Sequence, residues 1–376
     1  MQFVTHGPDI PDALLQAHEE GRVVFFCGAG ISYPAGLKGF DWLVDEIYRL
    51  CGTGRKRLEE KAFQNKQFDT TLNLLEDRLP GGRPGLAMRK SLAKALKPNL
   101  RKKGAVDTHS ALLTLGRGRD GALRLVTTNF DQVFHKAAKR TGQVLQAYGA
   151  PMLPVPKNSR WNGLVFLHGL LPDKPDDTGL NRLVVTSGDF GLAYLTERWA
   201  ARFVSELFRN YVVCFVGYSI NDPVLRYMMD ALAADRMLGE STPQAWAFGD
   251  CLPGGEVEAA EEWEAKGVSP ILYSNSTGSH SALHETLSAW AATYRDGVLG
   301  KEQIVVRHAL ARPSASTKQD DFVGRMLWAL SHESGLPAKR FADINPVPPL
   351  DWLLEAFSDD RFQHSDLARF GVPPRD

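Results

Sequence analysis

Apolar positions along the chain fall into two spacings. Uninterrupted short runs occur at Val23–Cys27 (VVFFC), 122–128 (ALRLVTT), 163–167 (GLVFL), 183–186 (LVVT), 211–216 (YVVCFV), 244–248 (QAWAF) and 269–273 (SPILY). Runs of this length, bounded by glycine or polar residues, predict strands buried on both faces. Between them lie stretches of helical spacing at 9–20, 39–50, 131–140, 192–209 and 223–235. In 39–50, Trp42, Leu43, Ile47 and Leu50 fall on one side. Strands alternating with helices of this length predict an α/β fold, a mostly parallel sheet with helices on both faces.

Residues 55–103 break the alternation. They are polar, helical in pattern and carry no β-branched cluster, so a helical insertion is expected at about 52–119. From Arg78 to Arg119 the chain has eleven Lys/Arg and one acid, Asp107. After about residue 300, prolines at 313, 337, 346, 348, 349, 373 and 374 separate short helical pieces at 320–333 and 350–357. The expected organisation is a domain at 1–300 with its insertion. A C-terminal helical extension follows at 301–376, which begins a further domain or docks onto a partner. Neither internal repeats nor low-complexity tracts occur.

Composition narrows the function classes. Hydrophobic residues make up 43% of 376, enough for a sizeable core. The 44 basic side chains balance 44 acidic ones, which argues against a nucleic-acid coat or a polybasic membrane binder. The basic stretch reads as a solvated helical face offset by Glu256, Glu258, Glu261, Glu262 and Glu264, with phosphate binding as the alternative. Cys27, Cys51, Cys214 and Cys251 form no CxxC pair and no disulfide framework. No apolar run reaches the roughly 18 residues of a membrane span. The first residues, MQFVTHGPDIPDALL, lack the basic region and apolar run of a secretory leader. A cytoplasmic protein without membrane contact is expected.

Four loops that follow predicted strands carry the candidate chemistry. They are Gly28-Ala29-Gly30-Ile31-Ser32, Thr127-Thr128-Asn129-Phe130-Asp131, Leu167-His168-Gly169 and Gly217-Tyr218-Ser219-Ile220-Asn221-Asp222. In a parallel sheet such strand ends converge on one crevice. Gly28 and Gly30 would let the backbone approach a phosphate at a helix N-terminus, although Tyr33 replaces the third glycine of a dinucleotide fingerprint. The alternative is a tight turn without ligand. Asn129 and Asp131, or Ser219, Asn221 and Asp222 before Pro223, could equally cap the next helix. A strand-end histidine such as His168 is often structural. No single loop specifies a chemistry; their order at successive strand ends does.

That order resembles the sirtuin superfamily, in which GAGxS, T-x-N-x-D, HG and G-x-S follow one another on a Rossmann-like sheet that binds NAD+. The resemblance covers roughly residues 10–295. It implies His168 as general base, Asn129 orienting ribose or water, and Asp131 supporting that loop or the nicotinamide side of the pocket. It further implies Ala29, Gly30 and Ser32 in the pyrophosphate region, Ser219, Asn221 and Asp222 on the adenosine side, and Gly28, Thr128 and Gly217 as further cofactor-binding residues. The chain departs from protein-deacylating sirtuins in two ways. No CxxC pairs stand between His168 and Gly217, so no zinc is expected, and Thr128 replaces their usual glutamine. GYSxxDP looks instead like bacterial sirtuin-like domains of anti-phage defence. That resemblance implies NAD+ hydrolysis, a homo-oligomer, and control by a phage-protein trigger or a partner ATPase or sensor domain. Alternatives are an NAD-dependent deacylase and a non-catalytic nucleotide- or nucleic-acid-sensing module.

Two other motifs fail. Gly217-Tyr218-Ser219-Ile220-Asn221 lacks the closing glycine of a hydrolase elbow. His280-x-x-x-His284 has metal-ligand spacing but no companion glutamate, and ordinary helix surface is expected there.

Overall fold

Seven strands form one all-parallel sheet in the order β3-β4-β2-β1-β5-β6-β7. They are β1 (Val23–Cys27), β2 (Arg124–Thr127), β3 (Ala147–Gly149), β4 (Gly163–Phe166), β5 (Val212–Val216), β6 (Ala245–Cys251) and β7 (Val268–Ser274). The computed structural model describes residues 1–80, 86–118, 120–157, 159–220, 222, 225, 227–229, 242–276, 278–332 and 334–359. Asn221, Pro223 and most of the expected helix 223–235 lie outside these, as do 360–376.

β1 and β5 are buried at every position, as their unbroken apolar runs require. Phe25 pairs with Leu125 on one side and Cys214 on the other. From β1 the chain winds out through β2 and β4, then returns to the far side of β1 as β5. This reversal opens a crevice at the carboxyl ends of β1 and β5, where α/β sheets bind ligands. Val24, Phe26, Val126, Val165 and Phe215 share one core with Ala200, Val204 and Leu207 of the helix Trp199–Asn210. On the opposite face Phe25 meets the His18 ring edge-on at 5.6 Å, and Phe166 stacks on His135 at 5.6 Å. The fold is Rossmann-like, with helices on both faces.

The chain divides into two compact units, Ala13–His280 and Met1–Asp12 with Ser281–Asp376. Within the first, the stretch between β1 and β2 is helical as expected. Helices Phe40–Cys51, Arg57–Gln64, Phe68–Arg78 and Leu86–Ala95 form it, with Asp107–Leu115 last. Leu43, Ile47, Leu72, Leu75, Met88 and Leu92 pack into a separate core that also takes Leu180, Leu183 and Val185. In the second unit, Val305, Phe322, Met326, Leu330 and Trp352 form a third core. Phe3 stacks on Trp290 there at 5.8 Å, and Arg325 donates to the Gln2 carbonyl at 2.7 Å.

One expected strand is corrected. Residues 183–186 are not a strand: Leu183 and Val185 enter the insertion's core, Val184 enters the sheet's, and Thr186 caps the helix Ser187–Phe190. The strand the pattern missed is β3, three half-buried residues at a sheet edge.

Candidate functional site

The carboxyl ends of β1, β2, β4 and β5 converge on a pocket of about 610 Å³, part of it open to solvent. Ala29 and Ser32 come from the first loop, Thr128, Asn129 and Asp131 from the second, His168 from the third and Asp222 from the fourth. Leu37, Lys38, Phe40 and Leu43 form another wall, with Leu96 of the insertion.

Ser32 is the hub of the first two loops. Its hydroxyl donates to Asp131 Oδ2 at 2.9 Å and lies 3.4 Å from both Asn129 Nδ2 and His109 Nε2. Asp131 Oδ1 accepts the Val133 amide at 2.9 Å, so the capping role and the site role coexist. Burial pushes the Asp131 carboxyl up, against those two hydrogen bonds, which favour its ionised form. Asn129 Nδ2 donates to the Gly28 carbonyl at 3.0 Å, which fixes the side chain and leaves Oδ1 for a ligand. The Thr128 hydroxyl is 2.6 Å from the Tyr218 hydroxyl.

The glycines do different work from that expected. The Gly28 amide donates to the Val216 carbonyl at 2.8 Å and the Gly30 amide to the Gly217 carbonyl at 2.9 Å. These donors are therefore spent inside the protein rather than on a phosphate. A Cβ on Gly30 would stand 2.7 Å from Gly217 Cα. One on Gly217, at φ +73°, would stand 2.6 Å from the Ile31 nitrogen. The loops after β1 and β5 thus close backbone to backbone, which only residues without Cβ allow. Ala29 and Ser32 are what this turn presents to the pocket. Ser219 is exposed and does not line it, and Asn221 lies outside the described residues.

His168 is buried, 1% exposed, and its Nε2 is 3.0 Å from the Tyr194 hydroxyl. The Phe190 ring meets it edge-on at 5.1 Å. Burial pushes the imidazole down to about 3, so it is neutral at pH 7. Burial and the Asp222 charge push Tyr194 up. Tyr194 belongs to a π-turn, Gly191–Thr196, in which the Glu197 amide reaches back to the Leu192 carbonyl at 2.9 Å. Such turns are rare and often mark functional sites. Tyr194, Phe190, Phe40 and His109 carried no sequence signal, because each reaches the site through the fold alone. Burial also pushes the Cys27 and Cys214 thiols up, which removes them as nucleophiles.

His280 is not on a helix surface. At φ +53° it precedes the helix Ser281–Asp296, and its Nδ1 is 2.8 Å from the Tyr273 hydroxyl. Among the described residues no group of histidine, cysteine and carboxylate side chains is placed to hold a metal ion. No described helix is long and apolar enough to cross a membrane.

Two comparisons bear on this geometry. Residues 123–271 match the SIR2-like domain family. That segment holds β2 through most of β7, and with them Asn129, His168 and Asp222. The chain is also 32% identical over 340 residues to the uncharacterized protein y4cA of Sinorhizobium fredii (strain NBRC 101917 / NGR234). The match covers 88% of this chain and 27% of that relative, so the chain spans about a quarter of the relative's length.

Proposed function

Because residues 123–271 form a SIR2-like domain, a family whose function is NAD-related, we propose that this chain cleaves NAD+ between nicotinamide and ribose. Water supplies the incoming hydroxyl, nicotinamide and ADP-ribose are released, and one proton passes to a base and on to solvent. The observation that carries the reading is the shared pocket. Ser32, Asn129, His168 and Asp222, from four separate strand ends, all line it.

The bond broken is a glycosidic one, with charge developing on the ribose carbon. Nicotinamide leaves as a neutral molecule from a cation, so the site needs no strong acid. His168 lines the pocket where it can take the proton from the attacking water or from a ribose hydroxyl; burial makes it a weak base, so the proton passes on to solvent rather than staying on the ring. Asn129 Oδ1 orients that oxygen, since Nδ2 is held by Gly28. Asp131 keeps Ser32 and Asn129 in register through its bonds to the Ser32 hydroxyl and the Val133 amide. Phe40, Phe130, Val184 and Phe190 give the pocket an apolar wall beside the polar groups.

Hydrolysis rather than acyl transfer is favoured by Cys214, the single cysteine between His168 and Gly217, which is buried inside β5. The biological reading that follows is NAD+ depletion as an effector of bacterial anti-phage defence. The test is product analysis after incubation with NAD+. Nicotinamide and ADP-ribose are expected, with turnover reduced about 100-fold or more in His168→Ala and Asn129→Ala. Undiminished turnover in both variants would remove the assignment, and O-acyl-ADP-ribose released from an acetylated peptide would replace hydrolysis by deacylation.

A further inference from the structure

We propose that Lys38, backed by Lys102 of the insertion, binds the diphosphate of the ligand that fills the pocket. The choice of a dinucleotide as that ligand rests on the proposed NAD+ cleavage; the need for a cation at this place rests on the pocket's own charges.

Lys38 is the one cation among the described residues that line the pocket. The other ionisable groups there are Asp131, Asp222 and neutral His168. A diphosphate brings further negative charge, and beside carboxylates in a partly enclosed space it needs a counter-charge. The other common phosphate ligand, the N–H groups of a glycine loop, is used up. The Gly28, Gly30 and Ile31 amides donate to the Val216, Gly217 and Gly28 carbonyls at 2.8, 2.9 and 3.3 Å. A lysine ammonium on its flexible stem supplies the missing charge as a point cation.

The backbone sets Lys38 at the rim. The Gly36 amide, in a residue at φ +81°, donates to the Tyr33 carbonyl at 2.8 Å, and the Leu37 amide to the Ser32 carbonyl at 3.2 Å. That turn buries Leu37 and leaves Lys38 exposed. The insertion meets the same turn. The Asn99 amide donates to the Ala35 carbonyl at 2.7 Å, and a Cβ on Gly36 would stand 3.7 Å from Lys102 Nζ. Among the described residues, neither the Lys38 nor the Lys102 side chain forms an ion pair or a hydrogen bond. Two ammonium groups on adjoining backbone repel each other, and an anion bound beside them offsets that repulsion. A nucleic-acid backbone asks for cations spread along a surface, whereas Lys38 belongs to a pocket, which suits a small ligand.

The experiment measures ADP-ribose binding to the full chain by calorimetry, with NAD+ kinetics beside it. Lys38→Met keeps the apolar stem and removes the charge. It should raise the ADP-ribose Kd about tenfold, and Lys102→Met about threefold. Lys38→Arg keeps the cation and should stay within about twofold of wild type. Lys61→Met removes an exposed charge from the helix Arg57–Gln64, away from the pocket lining, and should leave the Kd unchanged. In turnover, Lys38→Met should raise KM about tenfold and hold kcat within about twofold. No ADP-ribose binding by the wild type, a Lys38→Met Kd within about twofold of wild type, or an equal loss in Lys61→Met would each overturn the proposal. So would a single-stranded DNA or RNA that the same variants release while ADP-ribose stays bound. If the wild type binds ADP-ribose through Lys38 yet leaves NAD+ intact, the cleavage reading falls and the phosphate site stands. NAD+ cleavage that Lys38→Met leaves untouched does the reverse.

Discussion

His18 lies with its Nε2 2.8 Å from the Leu115 carbonyl oxygen and its ring against Phe25. Burial pushes it from 6.5 down to about 4, and pushes His168 down to about 3. Between those values and 6.5 the unfolded chain binds more protons than the folded one. The stability these residues contribute is therefore present above pH 6.5 and lost as pH falls toward 4, for His18 up to about 3 kcal/mol. Urea denaturation at pH 7 and pH 4.5 should show the loss. His18→Gln, which keeps a donor for Leu115, should flatten the dependence. At this scale the sequence was partly legible. Asn129, Asp131 and His168 stood out through the order of their loops at successive strand ends, since each alone has a structural use as a cap or a hydrogen-bonded histidine. The glycines stood out for a reason that needed the fold: their missing Cβ atoms serve loop-to-loop closure, and the partner loop is nearly 190 residues away in sequence.

Among the elements, the insertion is tied to the site by one buried cation. Arg89 Nε donates to Glu76 at 2.9 Å, Nη2 to Asp189 at 2.7 Å and Nη1 to the Leu183 carbonyl at 2.7 Å. Asp189 Oδ2 in turn accepts the Val185 and Thr186 amides at 3.0 and 2.9 Å. This cluster fixes the segment that carries Val184 and Phe190 to the pocket. Replacing Arg89 by Met leaves two carboxylates without their cation, which should cost about 3–5 kcal/mol in chemical denaturation. The same segment explains why 183–186 misleads a reader of the sequence. LVVT has the composition of a strand because its side chains are buried on alternating sides. Its backbone, however, makes one bond to the His168 carbonyl, from Val184 at 2.9 Å, and then enters a helix cap. β3 misleads in the opposite direction: a three-residue edge strand needs no apolar run.

For the sheet unit as a whole, strand order is the decisive fact. Alternating strands and helices announced a parallel sheet. Its order, with β5 returning beside β1, is written in long-range pairing that no local pattern encodes. That order brings four strand ends and the insertion's Leu96 around one pocket. A ligand filling it bridges parts of the chain far apart in sequence and should stabilise them together. ADP-ribose at about 100 times its Kd should add about 2.7 kcal/mol to unfolding, read as a rise in Tm. Asn129→Ala should lose most of that rise at the same concentration. An unchanged Tm in the wild type would argue against the pocket as a dinucleotide site.

The π-turn at Gly191–Thr196 holds one residue more per turn than an α-helix would. Leu192 is 49% exposed and contributes little packing, so it is the residue the turn can most readily give up. Deleting it should let the segment relax to ordinary α-helical winding, which absorbs the lost residue within the turn, shifts Tyr194 from its place and leaves the helix Trp199–Asn210 in register. Tyr194 would leave His168, while the sheet and its cores stayed folded. A near-native circular dichroism spectrum with lost NAD+ turnover is the expected result. A single-codon change in length, with no change of chemistry at any site residue, would then separate a folded chain from a working one.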